Sequence, residues 1–233
     1  YFEVLKKKAL PDNVQFAMLA TRFRGNVDPF FAMNAANASQ AGLRLGAYIY
    51  SYATSVEMAQ QEADFVLNLI KDYPISFPVV FDAEDANTLG TLTQSQVSDV
   101  INAFCKRIQD AGYYPMVYAN EYWIANKIDM SKISYDIWVA KYQQKYTYSK
   151  TSMWQASNIG SVKGVNGNVD IDYLYKDYTQ IIPGNTWRTI AGNRYYYQNH
   201  VMQKSAWIND GQNWYYMNAA GNPSKGWLEL SGK

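Results

Sequence analysis

The sequence predicts an α/β fold: an irregular TIM-like (β/α) barrel followed by a small all-β module of hairpin repeats. Short apolar strands alternate with helices over residues 14–112, which is typical of βα units in a parallel sheet. Polar side chains also gather near the predicted carboxyl ends of the strands, where barrels of this kind hold their active sites. In the last fifty residues, Trp187, Trp207 and Trp227 recur twenty residues apart with glycines after them, which predicts stacked hairpins.

The composition limits the class of protein. The chain has 233 residues, of which 48% are hydrophobic, and its net charge of +1 gives no reason to expect nucleic acid or a membrane surface as a partner. No apolar run approaches the ~18 residues of a membrane-spanning helix, so no membrane insertion is expected. A single cysteine excludes an internal disulfide, and with one histidine we expect neither a metal site nor a cofactor.

The first third of the chain alternates between helical and strand patterns. The predicted elements are a helix over Tyr1–Leu10, a turn over Pro11–Asn13, a strand over Val14–Ala20, a helix over Pro29–Gln40, a strand over Leu43–Tyr52 and a helix over Thr54–Asp72. The last of these helices has an apolar side that includes Phe65 and Val66. Glu62 falls on that same side and does not fit the pattern.

The segment Pro78–Glu84 combines a buried strand with two carboxyl groups. Its sequence, PVVFDAE, is an apolar run opened by a proline, which is typical of a buried strand. Because side chains at positions i and i+2 of a strand leave the same face, Asp82 and Glu84 are predicted to point the same way. Crowding two carboxyl groups raises the pKa of one, which makes it a candidate acid near neutral pH. The alternative is a strand end whose acids meet solvent or a lysine.

A long helix and several short strands come next in the chain. Thr93 and Gln96 predict a capping box at the start of the helix, Gly112 predicts its end, and Cys105 falls on its apolar face as a core residue. The later strands are expected over Met116–Tyr118, Ile137–Tyr142, Met153–Ala156 and Val169–Ile171.

The predicted strands number seven, whereas a (β/α) barrel needs eight. The chain also opens on a helix, which in such a fold should follow a strand. We therefore expect about ten to fifteen further residues before Tyr1, forming an apolar strand that ends in an aspartate. The strands near Val14 and Val169 should then be separated by a gap, or by a strand from elsewhere that fills it.

Six motifs occur in order between about residues 1 and 178. They read DPFFAMN, GAYIYSYA, FPVVFDAE, GYYPMVYAN, IWVAKY and WQASNIGSVKGVNGNVDID. Their order and spacing resemble glycoside hydrolase family 25 lysozymes. The resemblance implies a secreted or wall-associated muramidase of a Gram-positive bacterium or its phage. Its partner would be the glycan strands of peptidoglycan, cleaved at the β-1,4 bond between N-acetylmuramic acid and N-acetylglucosamine.

The resemblance also implies roles for individual residues. Glu84 would be the general acid/base, and Asp82 would orient and stabilise the substrate's N-acetyl group as that group attacks the anomeric carbon. Asp170 would be a further acidic site residue. The implied substrate-binding residues are Tyr48, Tyr118, Trp138, Gln155 and Asp172. This agrees with the general requirement of glycosidases for one carboxylic acid of raised pKa and a second group that manages positive charge.

The tail resembles the choline-binding, or cell-wall-binding, repeats of Gram-positive surface proteins. In such repeats, aromatic side chains cage a quaternary ammonium group by cation–π attraction. The implied cage residues are Trp207, Trp214, Trp227 and Tyr216, and the implied ligand is choline-bearing teichoic acid. Tyr195 stands where the first aromatic triplet would have a tryptophan. We place the barrel at residues 1–182 and the repeats at 183–233, with Pro183–Asn185 as linker.

The sequence leaves alternatives open. The chain could be a wall-binding protein whose barrel has lost activity, or another barrel glycosidase such as a chitinase. Tyr48 and Trp138 could be barrel core, and Asp170 could be a turn or capping acid. The tail aromatics could serve only to pack the hairpins together.

Overall fold

A computed structural model shows the fold of the chain and describes residues 14–23, 25–142, 144–163 and 165–228. The helix expected over Tyr1–Leu10 and the turn over Pro11–Asn13 lie outside these residues. The elements of the sheet region are β1 Phe16–Ala20, β2 Arg22–Phe23, β3 Asn26–Val27, α1 Phe31–Gln40, β4 Arg44–Tyr50, α2 Val56–Ile70, β5 Ile75–Asp82, a short 3₁₀ helix Leu89–Thr91, α3 Gln94–Asp110, β6 Pro115–Asn120, α4 Glu121–Asn126, β7 Asp136–Ala140, β8 Thr151–Gly160 and β9 Val169–Leu174. The tail adds β10 Thr186–Ile190, β11 Asn193–Gln198, β12 Val201–Met202, β13 Ala206–Asn209 and β14 Trp214–Met217.

Seven strands form one curled sheet in the order β1, β4, β5, β6, β7, β8, β9. Neighbouring strands from β1 to β8 run parallel, whereas β9 runs antiparallel to β8. The expectation of a wholly parallel sheet is therefore wrong for the last strand. Only residues 161–168 connect β8 to β9, which is enough for a hairpin but too short for the crossover that a parallel return requires.

The two edges of the sheet, β1 and β9, do not pair with each other in the part of the chain that the structure describes. The predicted gap between these strands is confirmed, and the described sheet is an open curl rather than a closed barrel. Residues of both edges, including Phe16 and Met18 of β1 and Val169 of β9, line a cavity of about 430 Å³.

Strand β5 is buried along its whole length, because both faces of the curled sheet are covered. Phe81 faces the helices, where its ring lies 5.1 Å from that of Phe104 in α3. Cys105 of α3 is buried in the same layer, as predicted. Val80 belongs instead to a cluster on the inner face with Met116 and other residues of the later strands. This alternation gives each strand one helix-facing row and one inward row of side chains.

Side-chain caps fix the starts of three helices. The predicted capping box of α3 is confirmed, because the Thr93 hydroxyl accepts from the Gln96 backbone while the Gln96 side chain accepts from the Thr93 backbone. The Ser55 side chain caps α2, and Asn120 caps α4 by accepting from the backbone N–H of Trp123 at 3.1 Å. Because Asn120 is also the last residue of β6, this strand passes directly into a helix.

Glu62, which breaks the apolar pattern of α2, has a structural explanation. The side chain is buried and forms an ion pair with Arg22 of β2. It also accepts hydrogen bonds from the Ser51 hydroxyl at 2.6 Å and from the backbone N–H of Tyr52 at 3.0 Å. A buried carboxylate needs such partners, and here they tie α2 to the chain that leaves β4.

The tail consists of antiparallel strands. Strands β10, β11 and β12 form one small sheet, and β13 and β14 form a separate hairpin. Trp187 pairs with Tyr196 in the first of these units, and Trp207 pairs with Tyr216 in the second. Residues 229–233, in which a third repeat would continue, lie outside the described residues.

The first tail hairpin packs against the amino-terminal end of the large sheet. Arg188 of β10 is 1% exposed, and its guanidinium carbon lies 3.9 Å from the ring centroid of Tyr113 and 4.3 Å from that of Tyr197. Its Nη2 donates to the carbonyl oxygen of Ile75, at the start of β5, at 3.3 Å. Ile190 and Tyr197 belong to the same apolar core as the helices of the sheet region. The hairpin and the sheet therefore share a core.

Replacing Arg188 with alanine should destabilise the whole chain. The change removes two cation–π contacts and a hydrogen bond to the Ile75 carbonyl oxygen and leaves a buried cavity, so we expect a loss of about 2–4 kcal/mol in the free energy of unfolding by urea. The matched control is Lys204→Ala, which removes an exposed ion pair between the tail and Asp72 and should cost less than about 1 kcal/mol. Equal urea midpoints for the two variants would contradict a stabilising role for the buried arginine.

Candidate active site

Seven of the predicted site residues line one cavity between β1 and β9. They are Tyr48 of β4, Asp82 of β5, Tyr118 of β6, Trp138 of β7, Gln155 of β8, and Asp170 and Asp172 of β9. The carboxyl ends of parallel strands meet at one edge of a sheet, and side chains alternate between its faces. Inward-facing residues from six strands are therefore brought together although they are far apart in sequence.

Asp82, the last residue of β5, is the most enclosed acid of this group. Its side chain is 8% exposed, and its Oδ1 atom has no hydrogen-bond partner among the described residues. Burial raises the pKa of Asp82 well above its ordinary value, and the nearby charge of Glu84 raises it further. The carboxyl group therefore holds its proton to a higher pH than an exposed aspartate does.

Glu84 lies beyond the end of β5, since the strand stops at Asp82. The strand expected to carry both acids therefore carries only Asp82, although the two remain close enough for the charge of Glu84 to act on Asp82. Glu84 is half-buried and accepts a hydrogen bond from the backbone N–H of Asn120. Burial raises the pKa of Glu84, and this hydrogen bond opposes part of the rise. Because Asn120 also caps α4, the position of Glu84 depends on the start of that helix.

Gln155 connects two tyrosines in the cavity wall. Its Oε1 atom accepts hydrogen bonds from the hydroxyl groups of Tyr118 and Tyr142, both at 2.8 Å. Burial raises the pKa of each tyrosine, so that both hydroxyl groups stay protonated as hydrogen-bond donors. Gln155 itself is 4% exposed, which fixes the position of both rings at the cavity.

Trp138 and Asp172 form a second polar pair. The indole Nε1–H of Trp138 donates to Asp172 Oδ1 at 2.8 Å, and the indole ring lies edge-on to Tyr118 with the ring centroids 4.8 Å apart. Burial raises the pKa of Asp172 to about 7. The neighbouring Asp170 is more exposed, and burial raises its pKa as well. Trp138 thus belongs to the inner core and to the cavity wall at once.

Two further side chains complete the wall. Burial, with the charges of Asp82 and Asp170 as smaller causes, raises the pKa of Tyr48 to about 12. Asn34 of α1 also lines the cavity, and its Oδ1 atom is buried without a hydrogen-bond partner among the described residues. Sequence reasoning missed Asn34 because it lies within a helix, and no role was predicted for any residue of its motif, DPFFAMN.

The arrangement suits acid chemistry on a polar, ring-shaped ligand. Carboxyl groups with raised pKa lie beside aromatic faces and tyrosine hydroxyl groups, and such faces pack well against sugar rings. No group of three or more histidine, cysteine, aspartate and glutamate side chains within the described ranges is arranged to hold a metal ion. None of the described helices is long and apolar enough to cross a membrane.

The stability of an Asp172→Asn variant should depend on pH in a defined way. The folded-state pKa of about 7 exceeds the unfolded value of about 3.9, so the stability that the protonated group contributes is full below about pH 4 and is lost as pH rises through 7. The asparagine stays neutral. Its free energy of unfolding relative to the original chain should therefore rise by roughly 2–4 kcal/mol between about pH 4 and pH 8.

Urea unfolding at several pH values measures this difference. Asp110→Asn, which changes an exposed carboxylate of α3, is the matched control and should show no comparable rise. Parallel stability curves for Asp172→Asn and the original chain would show that Asp172 titrates as it does in the unfolded state.

The tail residues predicted to bind the cell wall lie apart from this cavity. Trp207, Trp214 and Tyr216 belong to the hairpin β13–β14, and the rings of Trp207 and Tyr216 are 5.5 Å apart. The cross-strand register and the two-residue alternation place all three on one face of the hairpin. Trp207 is 55% and Trp214 67% exposed, and Trp227 is fully exposed outside the strands.

Comparisons with known proteins place the sheet region in a family. A family model described as glycosyl hydrolases family 25 matches residues 10–165. The chain is 29% identical to the uncharacterized protein YegX of Escherichia coli strain K12 over 164 residues, which cover 68% of this chain and 58% of YegX. The match therefore spans less than two thirds of that relative.

Solved structures show the same fold. The CTP1L endolysin is similar with a TM-score of 0.59 and 26% identity, over 72% of this chain and 59% of that chain. The autolysin LytC from Streptococcus pneumoniae, solved in complex with a synthetic peptidoglycan ligand, is similar with a TM-score of 0.58 and 23% identity, over 68% of this chain and 40% of that chain. Both matches leave part of the present chain uncovered.

Proposed function

We propose a function for this chain from one premise: the chain belongs to glycosyl hydrolase family 25. The proposed reaction is hydrolysis of the β-1,4 bond between N-acetylmuramic acid and N-acetylglucosamine in peptidoglycan. The observation that carries the proposal is a pair of carboxyl groups with raised pKa: Asp82 lines a cavity with aromatic walls, and Glu84 follows two residues later, close enough for its charge to act on Asp82. Similarity to a protein named an endolysin supports the cell wall as the source of the substrate.

Glu84 acts as the general acid in this proposal. When the glycosidic bond breaks, its oxygen leaves with the departing sugar and must gain a proton. A carboxylic acid of raised pKa can supply that proton near neutral pH. Burial raises the pKa of Glu84, which favours the protonated form, while the hydrogen bond from the Asn120 backbone holds one carboxyl oxygen in place. After the transfer, the Glu84 carboxylate can take a proton from the attacking water.

Asp82 acts on the N-acetyl group of the substrate. Its Oδ1 atom is buried and has no partner among the described residues, so it can accept a hydrogen bond from the amide N–H of a bound sugar. That contact would hold the acetyl oxygen against the anomeric carbon as the bond breaks. The unpartnered Oδ1 of Asn34 offers a second acceptor in the same cavity.

Aromatic side chains and the remaining acids position the glycan strand. Tyr48 and Trp138 offer ring faces or edges to the sugars. The hydroxyl groups of Tyr118 and Tyr142 donate hydrogen bonds to Gln155, so their oxygens can accept hydrogen bonds from sugar hydroxyl groups. Asp170 and Asp172 line the cavity from β9. In this proposal they bind sugar hydroxyl groups rather than donate the catalytic proton.

Replacing Glu84 with glutamine should abolish most of the activity without unfolding the chain. The amide oxygen can still accept from Asn120, but the proton donor is lost, so release of reducing ends from purified cell walls should fall by roughly 10²–10⁴-fold. The matched control is Glu57→Gln, which changes an exposed carboxylate in the first turn of α2 and should leave the rate unchanged.

The products identify the bond. N-acetylmuramic acid at the new reducing ends supports the muramidase assignment, whereas N-acetylglucosamine there would point to a different glycosidase. Near-normal lysis by Glu84→Gln would remove Glu84 from the role of acid, and no lysis by the original chain would favour a wall-binding protein without activity.

We also propose that the tail binds cell-wall polymers that carry choline or a similar cation. The support is the exposed aromatic face formed by Trp207, Trp214 and Tyr216 on β13–β14. Aromatic faces attract quaternary ammonium groups, with about 0.5–2 kcal/mol per contact. Repeated ligands along a wall polymer would then raise the avidity of a weak individual site.

A double variant, Trp207→Ala with Trp214→Ala, tests this wall-binding role. Both side chains are exposed, so the fold should persist while sedimentation with choline-containing walls falls by roughly tenfold, as expected from the loss of two such contacts. Cleavage of a soluble glycan fragment should not change. The control Tyr175→Ala alters an exposed aromatic at the end of β9 and should sediment normally. Unchanged sedimentation of the double variant would leave the aromatics with a packing role only.

A further inference from the structure

The two tail hairpins share one strand register, offset by twenty residues. Trp187 lies opposite Tyr196 in β10–β11, and Trp207 lies opposite Tyr216 in β13–β14. The ring centroids of the two pairs are 5.1 and 5.5 Å apart, and both pairs have an interplanar angle of 65°. The four cross-strand pairs of the second hairpin therefore each have an equivalent in the first.

The register shows which residue of the first hairpin is equivalent to Trp214 of the second hairpin. Arg194 pairs with Thr189, and the equivalent pair in the second hairpin is Trp214 with Asn209. Matching the aromatic triplets by sequence alone sets Tyr195 against Trp214 instead. By structure, an arginine occupies the place of the third aromatic residue.

The guanidinium group of Arg194 lies over the ring of Trp187 in the first hairpin. The guanidinium carbon lies 4.2 Å from the ring centroid of Trp187. The same indole contacts Tyr196, and it contacts Tyr215 of the second hairpin with 5.0 Å between ring centroids. Aromatic rings of both hairpins therefore surround Trp187, and Arg194 already contacts the ring of Trp187.

The second hairpin shows the same face without that cation. Its equivalent side chains are Trp207, Trp214 and Tyr216, and the two tryptophans are more than half exposed. No lysine or arginine within the described ranges lies over the ring of Trp207. The two hairpins differ in two respects. The chain supplies a cation to the first face only, and the first face is more buried, because Tyr196 is 8% exposed and Trp187 contacts Tyr215 of the second hairpin.

We infer that Arg194 is an internal ligand, which holds within the chain the position that an external cation would take at the first hairpin. The guanidinium group is a weakly hydrated, delocalised cation that aromatic faces attract, as they attract a quaternary ammonium group. External cations consequently bind at the second hairpin and not at the first. The inference rests on the proposed binding of cations by the tail. It predicts that the two described hairpins together bind one external cation.

Choline titration of the full chain and three variants at position 194 tests the inference. Arg194→Trp gives the first hairpin the third aromatic of the second, Arg194→Ala removes the cation without adding bulk, and Arg194→Lys keeps a cation as the matched control. Calorimetry and tryptophan fluorescence, with sodium chloride as an ionic-strength reference, give the number of choline molecules bound per chain. Near-ultraviolet circular dichroism checks that the variants fold.

The tryptophan variant should bind one more choline per chain than the original, with the alanine variant gaining the same site at lower affinity and the lysine variant unchanged. The reciprocal change, Trp214→Arg, should abolish the site of the second hairpin.

An unchanged number of sites in both Arg194→Trp and Arg194→Ala would overturn the inference while leaving cation binding by the second hairpin intact. A site in these variants but none in the original would support the inference and refute the proposed role of the second hairpin. No saturable binding in any of them would overturn both.

Discussion

Burial of the Asp82 carboxyl group is the constraint on which the candidate site depends. Strand β5 is covered on both faces, so its last side chain enters a space with little water. A charged carboxylate there is costly in free energy. Because burial disfavours the charged form, the pKa values of Asp82 and Glu84 are raised. The same enclosure raises the pKa of Tyr48 on the neighbouring strand. The architecture of the sheet therefore sets the chemistry of the cavity.

Much of this site could be predicted from sequence because its determinants are local. An apolar run with acids at its end marks the close of a buried strand, and a period of two residues decides which side chains point inward. Parallel strands then bring their ends together whatever the details of packing, which is why Tyr118, Trp138 and Gln155 meet in one cavity. The capping box of α3 was predictable for the same reason, since Thr93 and Gln96 contact only their own turn.

The features that sequence reasoning missed depend on residues distant in the chain. Glu62 interrupts a helical pattern, and its partner Arg22 lies forty residues earlier. The direction of β9 depends on the length of a loop, and the place of Glu84 depends on the Asn120 backbone. In the tail, the aromatic triplets alone suggest that Tyr195 is equivalent to Trp214, whereas the cross-strand pairing gives that place to Arg194, in agreement with the twenty-residue spacing of Trp187 and Trp207.

The buried Arg188 has a consequence for the construction of hybrid proteins. The composition of the chain suggests a junction at Pro183–Asn185, where a foreign tail could be attached. Such a junction would remove Arg188, Ile190 and Tyr197, and with them part of the apolar layer that covers the base of the sheet. A junction after β12, within residues 203–205, would retain that layer. The natural unit of exchange therefore begins at the second hairpin rather than at the start of the aromatic tail.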